Sequence, residues 1–103
     1  MIMELKTAIH PGEHLAEELT ALGMSAAELA RKLDVPTNRI TGILNGQRAI
    51  TGDTALRLAN FFGTSAEFWL NLQSLYELRI AENKIGKSIK ALPRLERVRR
   101  ILA

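Results

Sequence analysis

The stretch "SAAELARKLDVPTNRITGIL", residues 25–44, constrains the fold more than any other part of the chain. It holds two short helical patterns with almost nothing between them. Ser25 and Glu28 stand three apart, the spacing of a capping box. In that motif a hydroxyl and a carboxylate satisfy free N–H groups at a helix start. Ala26, Leu29, Ala30 and Leu33 recur at helical spacing and define an inner face. Only Asp34 and Val35 stand before Pro36, which suits the start of a second helix. In that helix Ile40, Ile43 and Leu44 lie on one face. A connection this short dictates the packing. Ala30 is small where the helices cross closely, and Asp34 falls where the chain turns and left-handed backbone is favoured. Val35 plugs the space between the helices.

Helical patterns occupy most of the rest. "PGEHLAEELTALG" has Leu15, Leu19 and Leu22 on one stripe, with Pro11 in its first turn and Gly23 as the stop. "TGDTALRLANFFG" is capped by Thr51, stopped by Gly63, and turns Leu58, Ala59 and Phe62 inward. "SAEFWLNLQSLYELRIAENKIG" is longer, with Ser65 as its cap and Glu67 in its first turn. No strand alternation, repeat or long linker breaks the pattern. The expected fold class is all-α: a five-helix domain with a helix-turn-helix at about 26–45 and a long fifth helix. Residues 1–85 form the domain. Residues 86–103 are expected to form a short basic tail beyond it, with Leu95, Val98, Ile101 and Leu102 as its apolar side.

Several function classes fall away on composition. The chain has 103 residues and no cysteine, so disulfides and Cys-ligated metals are excluded. "HPGEH" matches H-x-x-E-H, a zinc-protease signature. His10 and His14 are the only histidines, however, and a zinc site needs a third ligand. His10 also precedes Pro11, which pushes it out of helical geometry. The string is a helix-start signal, no metal or cofactor is expected, and no constellation of an enzyme is present. No apolar run approaches the ~20 residues of a membrane span. The N-terminus has no signal-peptide pattern, so a cytoplasmic location is expected. The charge is unevenly spread. Residues 1–30 carry five Glu against one Lys, and residues 84–103 carry seven basic side chains against one acidic. Basic zones at 31–60 and 84–103 are the footprint expected of nucleic-acid binding, with plain solvated surface as the alternative.

The two-helix unit resembles the helix-turn-helix of phage-repressor and Cro-like proteins, the XRE family. Asp34 departs from it where the family usually has Gly, and Asp tolerates left-handed backbone better than most residues. The resemblance implies that the helix starting near Pro36 enters the major groove with its N-terminal residues on base edges. Thr37, Asn38, Arg39 and Thr41 are the candidate base readers. Asn38 suits adenine and Arg39 suits guanine or a phosphate; the Thr methyl groups suit thymine. Gly42, also outward, would permit close approach. Alternatively, Thr37 only caps the helix and Arg39 is only solvated. Ser25, Asn45, Gln47 and Arg48 are the candidate phosphate contacts, Ser25 through the free N–H groups of its helix start. Lys32, also exposed and basic, is balanced by Glu28.

Three more strings narrow the likeness: "HPGEHLAEEL", "LNGQRAIT" and "FGTSAEFWLNLQSLYELR". Together they look like HigA-type antitoxins over roughly residues 5–85. That resemblance implies a homodimer that represses its own operon at a palindromic operator. It also implies neutralisation of a HigB-type toxin, an RNA-cleaving enzyme of the RelE class. A stand-alone repressor of XRE type would show the same DNA chemistry. The long helix offers more apolar surface than four short helices need, so Trp69, Leu72, Tyr76 and Ile80 are expected at the dimer interface. Glu13, Glu17 and Glu18 form the most acidic patch, a candidate docking face for a basic toxin or simply a solubilising surface.

Overall fold

The computed structural model describes residues 6–96. Five helices follow one another: α1 (Pro11–Leu22), α2 (Ala26–Leu33), α3 (Thr37–Leu44), α4 (Gly52–Phe62) and α5 (Ala66–Lys90). No strand occurs among the described residues.

Four of the five helices, all but α3, begin where a polar side chain takes up a free N–H group. Ser25 and Glu28 complete the capping box of α2: the Glu28 N–H donates to Ser25 Oγ at 3.1 Å and the Ser25 N–H donates to Glu28 Oε1 at 3.0 Å. Thr51 and Ser65 cap α4 and α5. The cap of α1 is His10, whose Nδ1 accepts the Gly12 N–H at 2.9 Å. So "HPGEH" is a helix start, but the histidine itself does the capping. Its ring is buried with its edge toward Tyr76, centroids 4.8 Å apart. His14 lies on α1 against the rings of Phe68 and Trp69.

The turn between α2 and α3 is the one the spacing dictates. Asp34 takes left-handed geometry at φ 59°, and Val35 N–H donates to the Ala30 carbonyl at 3.0 Å. This closes α2 in the manner of a glycine-capped helix. Gly12 allows a second close approach. A Cβ there would collide with the Ile43 carbonyl, so α1 lies directly against the backbone of α3.

The core is built by Leu15, Leu19, Leu29, Ala30, Leu33, Ile40, Ile43, Ile50, Ala55, Leu58 and Trp69. The inner faces of α2 and α3 are as the periodicity demands. In α1 the buried stripe is shorter than its spacing suggests, since Leu22 is 54% exposed. In α4 Leu58 is buried, and Ala59 and Phe62, half-buried, pack against the core.

The largest correction concerns α5. Trp69, expected at the dimer interface, is 1% exposed within the single chain. Its Nε1 donates to Thr64 Oγ1 at 2.9 Å and its ring meets Phe62 and Phe68. Burying so large a ring sets the rotation of the helix. Gln73, one turn on, is therefore also buried, and its Oε1 accepts the Ile50 N–H at 2.8 Å. Leu72 packs against the core and Tyr76 is half-buried on His10, while Ile80 is exposed. Leu75, Leu78, Ile85 and Ile89 are turned outward. α5 runs five residues past the expected domain end at 85, ending at Lys90. Leu95 is exposed; Val98, Ile101 and Leu102 lie outside the described residues.

Candidate nucleic-acid interface

α3 is anchored from behind by Ile40 and Ile43, both fully buried. That fixes which side chains project. Thr37 and Asn38 stand exposed in the first turn. The N-cap position is Pro36, with no side-chain cap bond, so Thr37 does not cap the helix. Free N–H groups and two small polar side chains thus share one end of α3, the end a major-groove reader presents. Thr41 is half-buried, and its hydroxyl leans back on the Thr37 carbonyl at 3.4 Å. Gly42 does not face open space. Its carbonyl accepts the N–H groups of Gln47 and Arg48, and the Arg48 stem lies across it. Asn45, Gln47 and Arg48 follow as an exposed polar loop.

Ser25 is engaged within its own capping box. Its hydroxyl and its N–H are both engaged by Glu28. The Ser25 N–H donated to the Glu28 carboxylate, followed by the Ser25 hydroxyl, holds that carboxyl below its usual range. Ser25's own N–H and hydroxyl are thus engaged by an anion beside the expected phosphate position, and the free N–H groups of the helix start are those of Ala26 and Ala27.

Arg39 is neither simply solvated nor free. Its Nη1 donates to Asp53 Oδ1 at 2.7 Å. The same oxygen accepts Arg57 Nε at 2.7 Å. Arg57 Nη1 in turn donates to the Leu33 carbonyl at 2.7 Å, and weakly to the Asp34 carbonyl at 3.4 Å. The Arg57 hydrogen bond, joined by that of Arg39, holds the Asp53 carboxyl below the ordinary aspartate value against the opposing effect of burial. One carboxylate thus joins α3, α4 and the end of α2. The Asp53–Arg57 half of this network is an i,i+4 pair visible in sequence. The Arg39–Asp53 half spans fourteen residues and has no sequence signal.

Glu13 and Glu17 are exposed on α1; Glu18 is half-buried and lies 3.9 Å from His14 Nε2. No group of three His, Cys, Asp or Glu residues gathers to hold a metal among the described residues. No helix there is long and apolar enough to cross a membrane.

Comparison with known proteins places this geometry. A helix-turn-helix family model matches residues 15–69. The fold superposes on an addiction-module antidote protein of a HigA family from Coxiella burnetii with a TM-score of 0.84. The two are 59% identical, over 87% of this chain and 100% of that one. The Pseudomonas aeruginosa antitoxin HigA, solved with the higBA promoter, superposes with a TM-score of 0.83 at 43% identity, over 87% of this chain and 100% of that one. In sequence, the chain is 54% identical over 76 residues to virulence-associated protein I of Dichelobacter nodosus, covering 73% of this chain and 70% of that protein.

Proposed function

This chain belongs to the XRE-type helix-turn-helix family and, within it, to the HigA-type antitoxins, and on that premise we propose that it represses its own operon as a homodimer and neutralises a HigB-type RNA-cleaving toxin. The observation that carries the DNA half is the exposed first turn of α3, locked from behind by Ile40 and Ile43 and flanked by the Asn45–Arg48 loop. The P. aeruginosa relative, solved with the higBA promoter, supports the same reading.

In this reading Thr37, Asn38 and Arg39 meet base edges, with Thr41 at the margin. Asn45, Gln47 and Arg48 meet phosphates and set the register without reading sequence. The second copy covers the outward face of α5, where Leu75, Leu78, Ile85 and Ile89 join the expected Ile80; Leu72 and Tyr76, also expected there, pack against the core and His10 instead. Two-fold symmetry then sets two copies of α3 roughly 34 Å apart, which calls for a palindromic operator. The acidic face of Glu13, Glu17 and Glu18 is assigned to the basic toxin.

Gel shifts with the gene's own upstream DNA, run across a salt series, test the DNA half. The expected result is preference for that DNA over random sequence and a steep loss of affinity with salt. Equal binding to both would overturn it. Co-purification with the product of the adjacent reading frame tests the toxin half, and charge reversal at Glu17 and Glu18 should weaken that capture. A neighbour that neither co-purifies nor is toxic alone would leave a repressor without a toxin.

A further inference from the structure

We propose that Asp53 is a positioning residue for DNA reading, holding the Arg39 guanidinium poised at the face of α3 before any DNA arrives. The inference rests on the reading of Arg39 as a DNA contact and adds a residue that touches no DNA itself.

Asp53 lies at the start of α4, outside the recognition helix, yet its Oδ1 accepts Arg39 Nη1 at 2.7 Å. A guanidinium has five N–H donors in a planar fork. A bidentate contact to guanine needs two of them, so a bond through Nη1 leaves enough for a base edge. Asp53 is itself held in place. Arg57 Nε grips the same oxygen at 2.7 Å, and Arg57 Nη1 is fixed on the Leu33 carbonyl at 2.7 Å. The Leu33 carbonyl belongs to the last turn of α2, beside the left-handed Asp34. The orientation of Arg39 is therefore referred, through two side chains, to the backbone of the helix-turn-helix turn. A long flexible side chain ordered in advance loses less freedom on binding.

Stability alone accounts poorly for the arrangement. Asp53 is 56% exposed, and exposed ion pairs contribute little. Its charge also stands beside a helix assigned to a polyanion. Simple electrostatics predicts that removing it strengthens binding to all DNA, and positioning predicts that removing it weakens discrimination. The two effects have opposite signs, so they can be separated.

The test uses the full chain with Asp53→Ala, Arg39→Ala and the double variant, each confirmed folded by its thermal melt. Affinity is measured for the gene's own upstream duplex and for a random duplex of equal length. D53A should lower the ratio of specific to random affinity by about tenfold, while random-DNA affinity holds or rises. In the R39A background the same change should alter the ratio by less than about twofold. A D53A ratio that is unchanged or raised, or that falls equally without Arg39, overturns the proposal. If R39A alone leaves the ratio unchanged, Arg39 does not read DNA and both readings fail. If R39A lowers the ratio and D53A does not, only the role of Asp53 fails.

Discussion

Three backbone positions separate what close packing, helix propensity and turn geometry each demand of a residue. At Gly12 a methyl group would meet the carbonyl of Ile43, backbone that cannot swing aside. Gly12→Ala should destabilise the chain by about 3 kcal/mol in urea unfolding, at the upper end for overpacking. Gly86 lies within α5 with nothing near its missing side chain. Gly86→Ala should stabilise it by roughly 0.5–1 kcal/mol, the ordinary helix preference of Ala over Gly. Opposite signs for one substitution at two helical glycines would separate close packing from propensity. Asp34 is the third case. Its left-handed backbone, φ 59°, is strained for a residue with a side chain. Asp34→Gly should raise stability by about 1 kcal/mol and leave operator preference unchanged.

At the scale of elements, the capping box of α2 carries a pH dependence whose sign follows from its hydrogen bonds. The Ser25 N–H and then its hydroxyl depress the Glu28 pKa, as Arg57 and then Arg39 depress that of Asp53. A carboxyl depressed on folding stabilises the native state above its unfolded value. That contribution is lost as pH falls through the lower folded value. The melting temperature should therefore be flat near neutrality and decline below about pH 4. Glu28→Gln should melt lower at neutral pH and lose less on acidification. An equal acid-side drop in E28Q and the parent chain would show that the capping carboxylate is not a source of the dependence. This box was legible in sequence because both partners sit within one turn. The rotation of α5 was not. Its apolar residues surround the helix, and only the burial of Trp69 and Gln73 decided which face turned inward.

For the whole molecule, that rotation determines which surface is left over. Leu78 and Ile85 stand exposed two helical turns apart, away from Trp69. A double change, Leu78→Glu with Ile85→Glu, should leave the melt of the single chain nearly intact, since neither residue is in the core. Sedimentation should then show monomer in place of dimer. Operator affinity should fall steeply, while binding to a single half-site persists. A dimer that survives both changes would move the interface elsewhere.

The amino-acid sequence by itself determined the five-helix order, the caps at Ser25, Thr51 and Ser65, and the α2–α3 unit with its turn at Asp34. These depend on residues within a few positions of one another, where local hydrogen bonds and helical spacing suffice. Only the tertiary structure decided that Trp69 belongs to the core, that His10 caps α1 over Tyr76, and that Arg39 is held by Asp53. Trp69 went inward because packing, not periodicity, chooses among the faces of a helix that is apolar nearly all round. The contacts of His10 with Tyr76 and of Arg39 with Asp53 join distant parts of the chain, and chain spacing encodes neither.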